Sequence, residues 1–186
     1  RENYLTAARG GKPERVPVFP GDCNVFMPDF WMERDPVTGV DFCNIKWVKN
    51  DVGEMPMPGW KAMEEPSQWR DVVKFPDPSQ MDWEGMSRRF EESKDPDKVN
   101  IAMLNTNGIF LIPVNMMGWE DALCAVCEEP EEMEAFASAI ADFLVEVAGY
   151  IGKWIHPDIV FTGDDFAAAG GPFLAKEVFR TLYKPH

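Results

Sequence analysis

One run of the chain limits its fold more than any other: a long helical stretch, a short apolar segment, and a second helical stretch. In PEEMEAFASAIADFLVEVAGYIGKWIHP apolar residues recur every three or four positions, and Pro130 sits in the first turn. Glu131 and Glu132 suit the positive end of the helix dipole. The helix is expected to end near Trp154 to His156, ahead of Pro157. DIVFT then reads as a strand, GDDFAAAGG as a loop, and PFLAKEVFRTLY as another helix. Helix, loop, apolar strand, loop and helix is the order of an α/β chain whose parallel sheet is covered on its faces.

Upstream the pattern is sparser. NYLTAAR reads as a short helix, GGKPER breaks it, and VPVF follows as a first strand with Pro17 and Pro20 at its margins. NIAML is a strand candidate, and WEDALCAVC has helical character. Residues 21–98 are the least regular part, with most of the prolines and Trp31, Trp47, Trp60, Trp69 and Trp83. Exposing so many aromatics is costly, so this segment is expected to pack as an ordered excursion over a larger body. Strands are thus expected at 16–19, 100–104 and 158–162. A parallel barrel needs eight, usually within about 250 residues. With YKPH falling where a helix would run on, residues 1–186 read as a single incomplete domain, the front part of a larger α/β unit. Its open sheet is expected to be completed by self-association or by a C-terminal half.

The formal net charge of −14, from 32 acidic and 18 basic residues, argues against nucleic acid or an anionic membrane as partners. No run of about 18 apolar residues suggests a membrane span, and the first residues lack the apolar core of a signal peptide. Four cysteines in 186 residues do not make a disulfide scaffold. The chain reads as cytoplasmic, with reduced thiols.

Asp164 and Asp165 form the sharpest local feature. A carboxylate at the C-terminal end of a parallel strand reaches the mouth where active sites are built. Neighbouring side chains point apart, so one is expected to face the mouth and the other to cap a turn or helix; both could be loop caps. Asp22 and Cys23 are expected to follow the first strand and line the same mouth, unless they are a solvated loop residue and a packing thiol. Asn105 and Asn107, in NTNG after the second strand, could orient a polar substrate or supply turn hydrogen bonds. The aromatic and methionine residues of 19–60, among them Phe19, Phe26 and Trp31, could wall an apolar pocket together with Phe110, or form core and lid. Cys124-x-x-Cys127 lies in helix and is expected to pack inward. His156, at a helix end, and His186 have no ligand-spaced neighbours, so no zinc site built by this chain is expected.

Three segments also carry a family resemblance: RENYLTAARGGKPERVPVF, MMGWEDALCAVCEEPEEMEAF and DIVFTGDDFAAAGGPFLAKEVFRTLYKP. In this order and spacing they resemble the uroporphyrinogen decarboxylase superfamily. DPVTGVDFCNIKWVKNDVGEMPMPG and WRDVVKFPDPSQMDWE are similar to its branch of cobamide-dependent methyltransferases and O-demethylases. The resemblance implies the N-terminal part of a (β/α)8 barrel whose mouth takes a tetrapyrrole or a corrinoid-linked methyl donor. It implies methyl transfer from a methylated or methoxylated small molecule to or from a corrinoid carrier protein. In that scheme Asp165 and Asn105 position the substrate or the corrinoid edge. Zinc and a corrinoid serve the full-length relatives, and this portion alone is expected to bind neither. The alternatives are a decarboxylase-like carboxy-lyase and a non-catalytic binding module. After VPVF the chain reads PGDCNVFMPDFWMERD, with Arg34 its only arginine, where the decarboxylases carry an arginine-rich loop; this favours the methyl-transfer branch.

Overall fold

The computed structural model describes residues 1–51 and 53–186. The chain opens with α1 (Glu2–Ala8) and β1 (Cys23–Phe26), then folds an antiparallel hairpin, β2 (Trp47–Asn50) and β3 (Gly53–Pro56). The short α2 (Trp69–Val72) and the longer α3 (Trp83–Ser93) lead into β4 (Val99–Met103). Three helices follow without a strand between them: α4 (Leu111–Met117), α5 (Trp119–Glu128) and α6 (Pro130–Trp154). After β5 (Ile159–Phe161) come a minimal hairpin, β6 (Ala167–Ala168) and β7 (Gly171–Pro172), and α7 (Lys176–Val178), which passes into a π-helical turn at Phe179–Tyr183.

The main sheet has three parallel strands in the order β1-β4-β5, with Phe26 opposite Ala102 and Met103 opposite Phe161. The other two sheets are the two-stranded hairpins, and none of the three closes or curls. This overturns the expected (β/α)8 barrel portion: the fold is mixed α/β with small open sheets. The reason lies partly in residues 27–98, which add no strand to the parallel sheet and instead form a separate antiparallel hairpin. The first strand is also displaced. VPVF is not a strand, and Val16, Val18 and Phe19 lie exposed. Pro17 and Pro20 have no N–H to give a ladder, so pairing begins at Cys23, after the second proline.

Helix α6 organises the interior. Met133, Phe136, Ala137, Ile140, Phe143, Leu144, Val147 and Ile151 form its buried stripe at helical spacing. Its most apolar 18-residue window has a mean hydropathy of 1.4, enough by length and composition to cross a membrane; here that apolar stripe is covered by protein. The irregular segment does the covering. Trp69 stacks on Phe136 with ring centroids 5.0 Å apart, and Trp83 stacks on Tyr150 at 5.5 Å. Phe30, Phe42 and Phe75 all meet Phe143. The prolines and aromatics of 21–98 thus pack as a jacket around one helix.

The two faces of the parallel sheet differ. Phe26 and Ala102 belong to the main core, on the side of α3 and α6. Cys23, Val99 and Ile101 face the other way and pack with Leu5 of α1. Further along that second face, Val25 and Phe161 are exposed. An ion pair between Arg1 and Asp158 ties the start of α1 to the entry of β5, and the Asp158 carboxylate also accepts from the Asn100 N–H.

Candidate functional site

Because the three strands are parallel, the segments after Phe26, Met103 and Phe161 all emerge at one edge of the sheet. They carry most of the candidate residues. In open α/β sheets ligands bind in the crevice outside this edge.

Asn105 is the most buried polar residue here, at 2% exposure. Its Nδ2 donates to the Gly163 carbonyl at 2.8 Å, while Oδ1 accepts from Thr162 Oγ1 and the Gly163 N–H. The side chain laces the end of β4 to the loop after β5, and its hydrogen-bonding capacity goes into that link. Asn107 lies nearer the surface, where Oδ1 accepts from Asn115 and Nδ2 donates to Thr106.

The two aspartates separate cleanly. Asp164 turns inward and accepts from the backbone N–H groups of Phe110 (2.8 Å), Leu111 (3.0 Å) and Asp165 (3.1 Å). It serves as the acceptor for the first orphan N–H groups of α4, fifty residues upstream. Burial nonetheless raises its carboxyl above the usual range, outweighing those three N–H donors. Asp165 points to solvent, and its carboxylate has no hydrogen-bond or ion-pair partner among the described residues.

Phe110 is fully buried, stacked on Phe166 at 5.1 Å and edge-on to Tyr183 at 5.7 Å. Tyr183 holds its hydroxyl in this nest without a partner among the described residues; burial first, then the nearby Asp164, pushes that hydroxyl well above its ordinary value. Phe26 is core, edge-on to Phe90. Asp22 and Phe19 lie elsewhere. Since the strand begins at Cys23, Asp22 precedes it and sits at the opposite edge of the sheet, as does Phe19. Asp22 is bound by Arg15 and by the Val18 N–H at 2.8 Å, and Arg15 holds its carboxyl well below the usual range. Neither residue lines the candidate edge.

Two hollows flank that edge. One, of about 420 Å³, is bounded by Asn105, Thr162, Asp164 and Phe166 against Leu144 and Val145 of α6. The other, of about 290 Å³, lies between Trp31, Arg34, Asp41, Trp47, Glu54 and Thr106–Asn107. The β2–β3 hairpin roofs this second hollow. Trp31 anchors its floor by donating Nε1–H to the Leu104 carbonyl at 2.9 Å. Arg34 lies over the ring of Trp47, 5.3 Å from its centroid, and donates to Glu54 at 3.1 Å. Asp41 accepts from Trp47 Nε1 at 2.7 Å and from the N–H groups of Cys43 and Ile45.

No family model, curated protein or solved structure matches the chain. The site therefore rests on its own geometry.

Asp41, Glu54 and Thr106 were not among the sequence candidates. Their signal was WVKNDVGEMP, where an Asn-Asp pair and a glycine between two alternating runs mark a hairpin able to carry Glu54 back towards Trp47. The cysteine pair corrects another expectation. Cys124 and Cys127 are exposed, because the buried stripe of α5 is Ala122, Ala125 and Val126 on the opposite side. Among the described residues no three His, Cys, Asp or Glu side chains gather closely enough to hold a metal ion. The donor set for zinc does not fit here, and no step is derived through it.

Proposed function

We propose that the chain binds a small methylated or methoxylated molecule in the hollow beneath the β2–β3 hairpin and serves methyl transfer between that molecule and a corrinoid carrier. One observation supports the site above others: an aromatic-walled cavity with convergent polar groups opens at the C-terminal edge of the parallel strands. The choice of reaction rests on the ordered resemblance of the segments to the cobamide-dependent branch. At about 290 Å³ the hollow lies at the small end of ligand pockets, roughly 300–1,000 Å³. That suits one substituted ring, so a corrin would have to approach from outside.

Trp31 and Trp47 supply flat walls for such a ring, and Arg34, Thr106 and Asn107 supply polar contacts at its rim. As a methyl group departs, the oxygen or nitrogen left behind takes up a proton. Asp165, the uncommitted carboxylate at this edge, is the group assigned to position that polar end. Asn105 acts on the shape of the edge, since its amide is engaged within the fold.

A second reading, a module that binds such a ligand without turning it over, is favoured by how completely Asn105 and Asp164 are engaged by the backbone. Incubation with a methoxybenzoate and reduced corrinoid, following the demethylated product by mass spectrometry, separates the two. Turnover reduced at least tenfold by Asp165→Asn, about 1.4 kcal/mol of transition-state stabilisation, is the expected result. Binding without turnover selects the module, and absence of both removes the site.

A further inference from the structure

Outside the candidate site, the most unusual chemistry lies on the outer face of α5. Cys124 and Cys127 are both free and both exposed, whereas Cys23 and Cys43 are buried. Burial pushes the Cys43 thiol far up, which leaves the α5 pair as the accessible thiols of the protein. They stand three residues apart on a ten-residue helix that packs on α4 and α6, so the backbone holds their spacing.

We propose that Cys124 and Cys127 form a two-coordinate site for a soft monovalent cation, Cu(I). Residues three apart on a helix place their β-carbons roughly 5–6 Å apart, wider than the approximately 3.5–4.5 Å of a disulfide. An ion bridging two sulfurs in a line, with bonds of about 2.3 Å, sets the sulfurs about 4.6 Å apart, a span that this helical spacing accommodates without unwinding. The donor count selects the ion. With no third ligand-type side chain gathered there among the described residues, the four-coordinate shell of a structural zinc site is not available. Two thiolates with nothing else suit a soft cation that accepts linear coordination. Nearby Asp121 is not a spare donor, since it is paired with Lys61. On binding, each thiol releases its proton to solvent as its sulfur takes the ion, so two protons leave for each cation and no electron moves. Because the sulfurs face water, the ion can load and unload by exchange with free thiols in solution.

The test is an anaerobic titration of the reduced protein with Cu(I) against a chromophoric Cu(I) chelator. One ion per chain should be withdrawn from the chelator. Cys124→Ser and Cys127→Ser should each weaken binding by at least ~100-fold, the loss expected when a chelate becomes a single ligand. Thermal melting by circular dichroism should be unchanged in both, since neither side chain is in the core. No withdrawal by the wild type, or full affinity in either serine variant, would overturn the proposal. So would facile loss of two hydrogens under mild air oxidation with both fast-reacting thiols gone, because the helical spacing would then permit a disulfide.

Discussion

Gly108 lies so close to the carboxylate of Asp164 that a β-carbon at position 108 would come within 2.5 Å of Oδ2. The contact lets the loop after β4 lie flat against the loop after β5, and it brings the first N–H groups of α4 within reach of Asp164. Gly108→Ala should therefore destabilise the fold by about 1–3 kcal/mol, the usual cost of overpacking, measured by urea unfolding. Gly149 is the internal control. It sits exposed in the middle of α6 with open space around it, so Gly149→Ala should stabilise by about 0.5–1 kcal/mol.

Asp164 also sets a pH dependence. Its folded carboxyl lies above the reference value of 3.8, chiefly because of burial. Between the unfolded and folded values the native state holds more proton than the unfolded chain, so the contribution of this group is fully present below 3.8 and is lost as pH rises through the folded value. Asp164→Asn cannot titrate. Wild-type stability relative to this variant should therefore increase as pH falls from neutral towards 3.8, read from urea midpoints at each pH. A relative loss over that range would show that the N–H donors, rather than burial, govern the group.

Phe143 receives Phe30, Phe42 and Phe75 on one ring, and Phe143→Ala should cost about 3–5 kcal/mol. Two residues on, Val145 is 70% exposed, and Val145→Ala should stay within about 0.5 kcal/mol of the wild type. Paired thermal melts distinguish the two.

At the hollow, Arg34→Met keeps an apolar stem against Trp47 but removes the hydrogen bond to Glu54. Affinity for a methoxybenzoate, measured by calorimetry, should fall at least ~3-fold, since the lost contact to a charged group is worth about 0.5–1 kcal/mol at a partly exposed site. Unfolding midpoints should hardly move. Unchanged affinity would remove Arg34 from the binding rim.

What the sequence disclosed followed the strength of each period. The 130–154 helix was legible end to end, because its apolar stripe is regular and proline stands at its start and just past its end. NIAML was legible to within one residue of β4. VPVF was not, because CNVF four residues beyond it has a similar apolar spacing, and two prolines decided which run could pair. The GDD pair announced an important loop, but the division of labour between its aspartates depends on Gly108, more than fifty residues upstream. The inward prediction for Cys124 and Cys127 failed for a related reason. Leu123, Ala125 and Val126 made their surroundings look apolar, while the side of α5 that is buried is set by α4 and α6.

The jacket around α6 has a consequence for the order in which the protein can be made. Phe30, Phe42, Trp69, Phe75 and Trp83 are translated before the helix on which they dock. At about 5–20 residues per second, roughly 3–11 s separate synthesis of residue 98 from completion of α6. Throughout that interval a tryptophan-rich nascent segment waits on the ribosome without its partner surface. The first half of this chain is thus a natural client for co-translational holding factors, and pausing after residue 98 would lengthen its exposure, while faster elongation through 130–154 would shorten it.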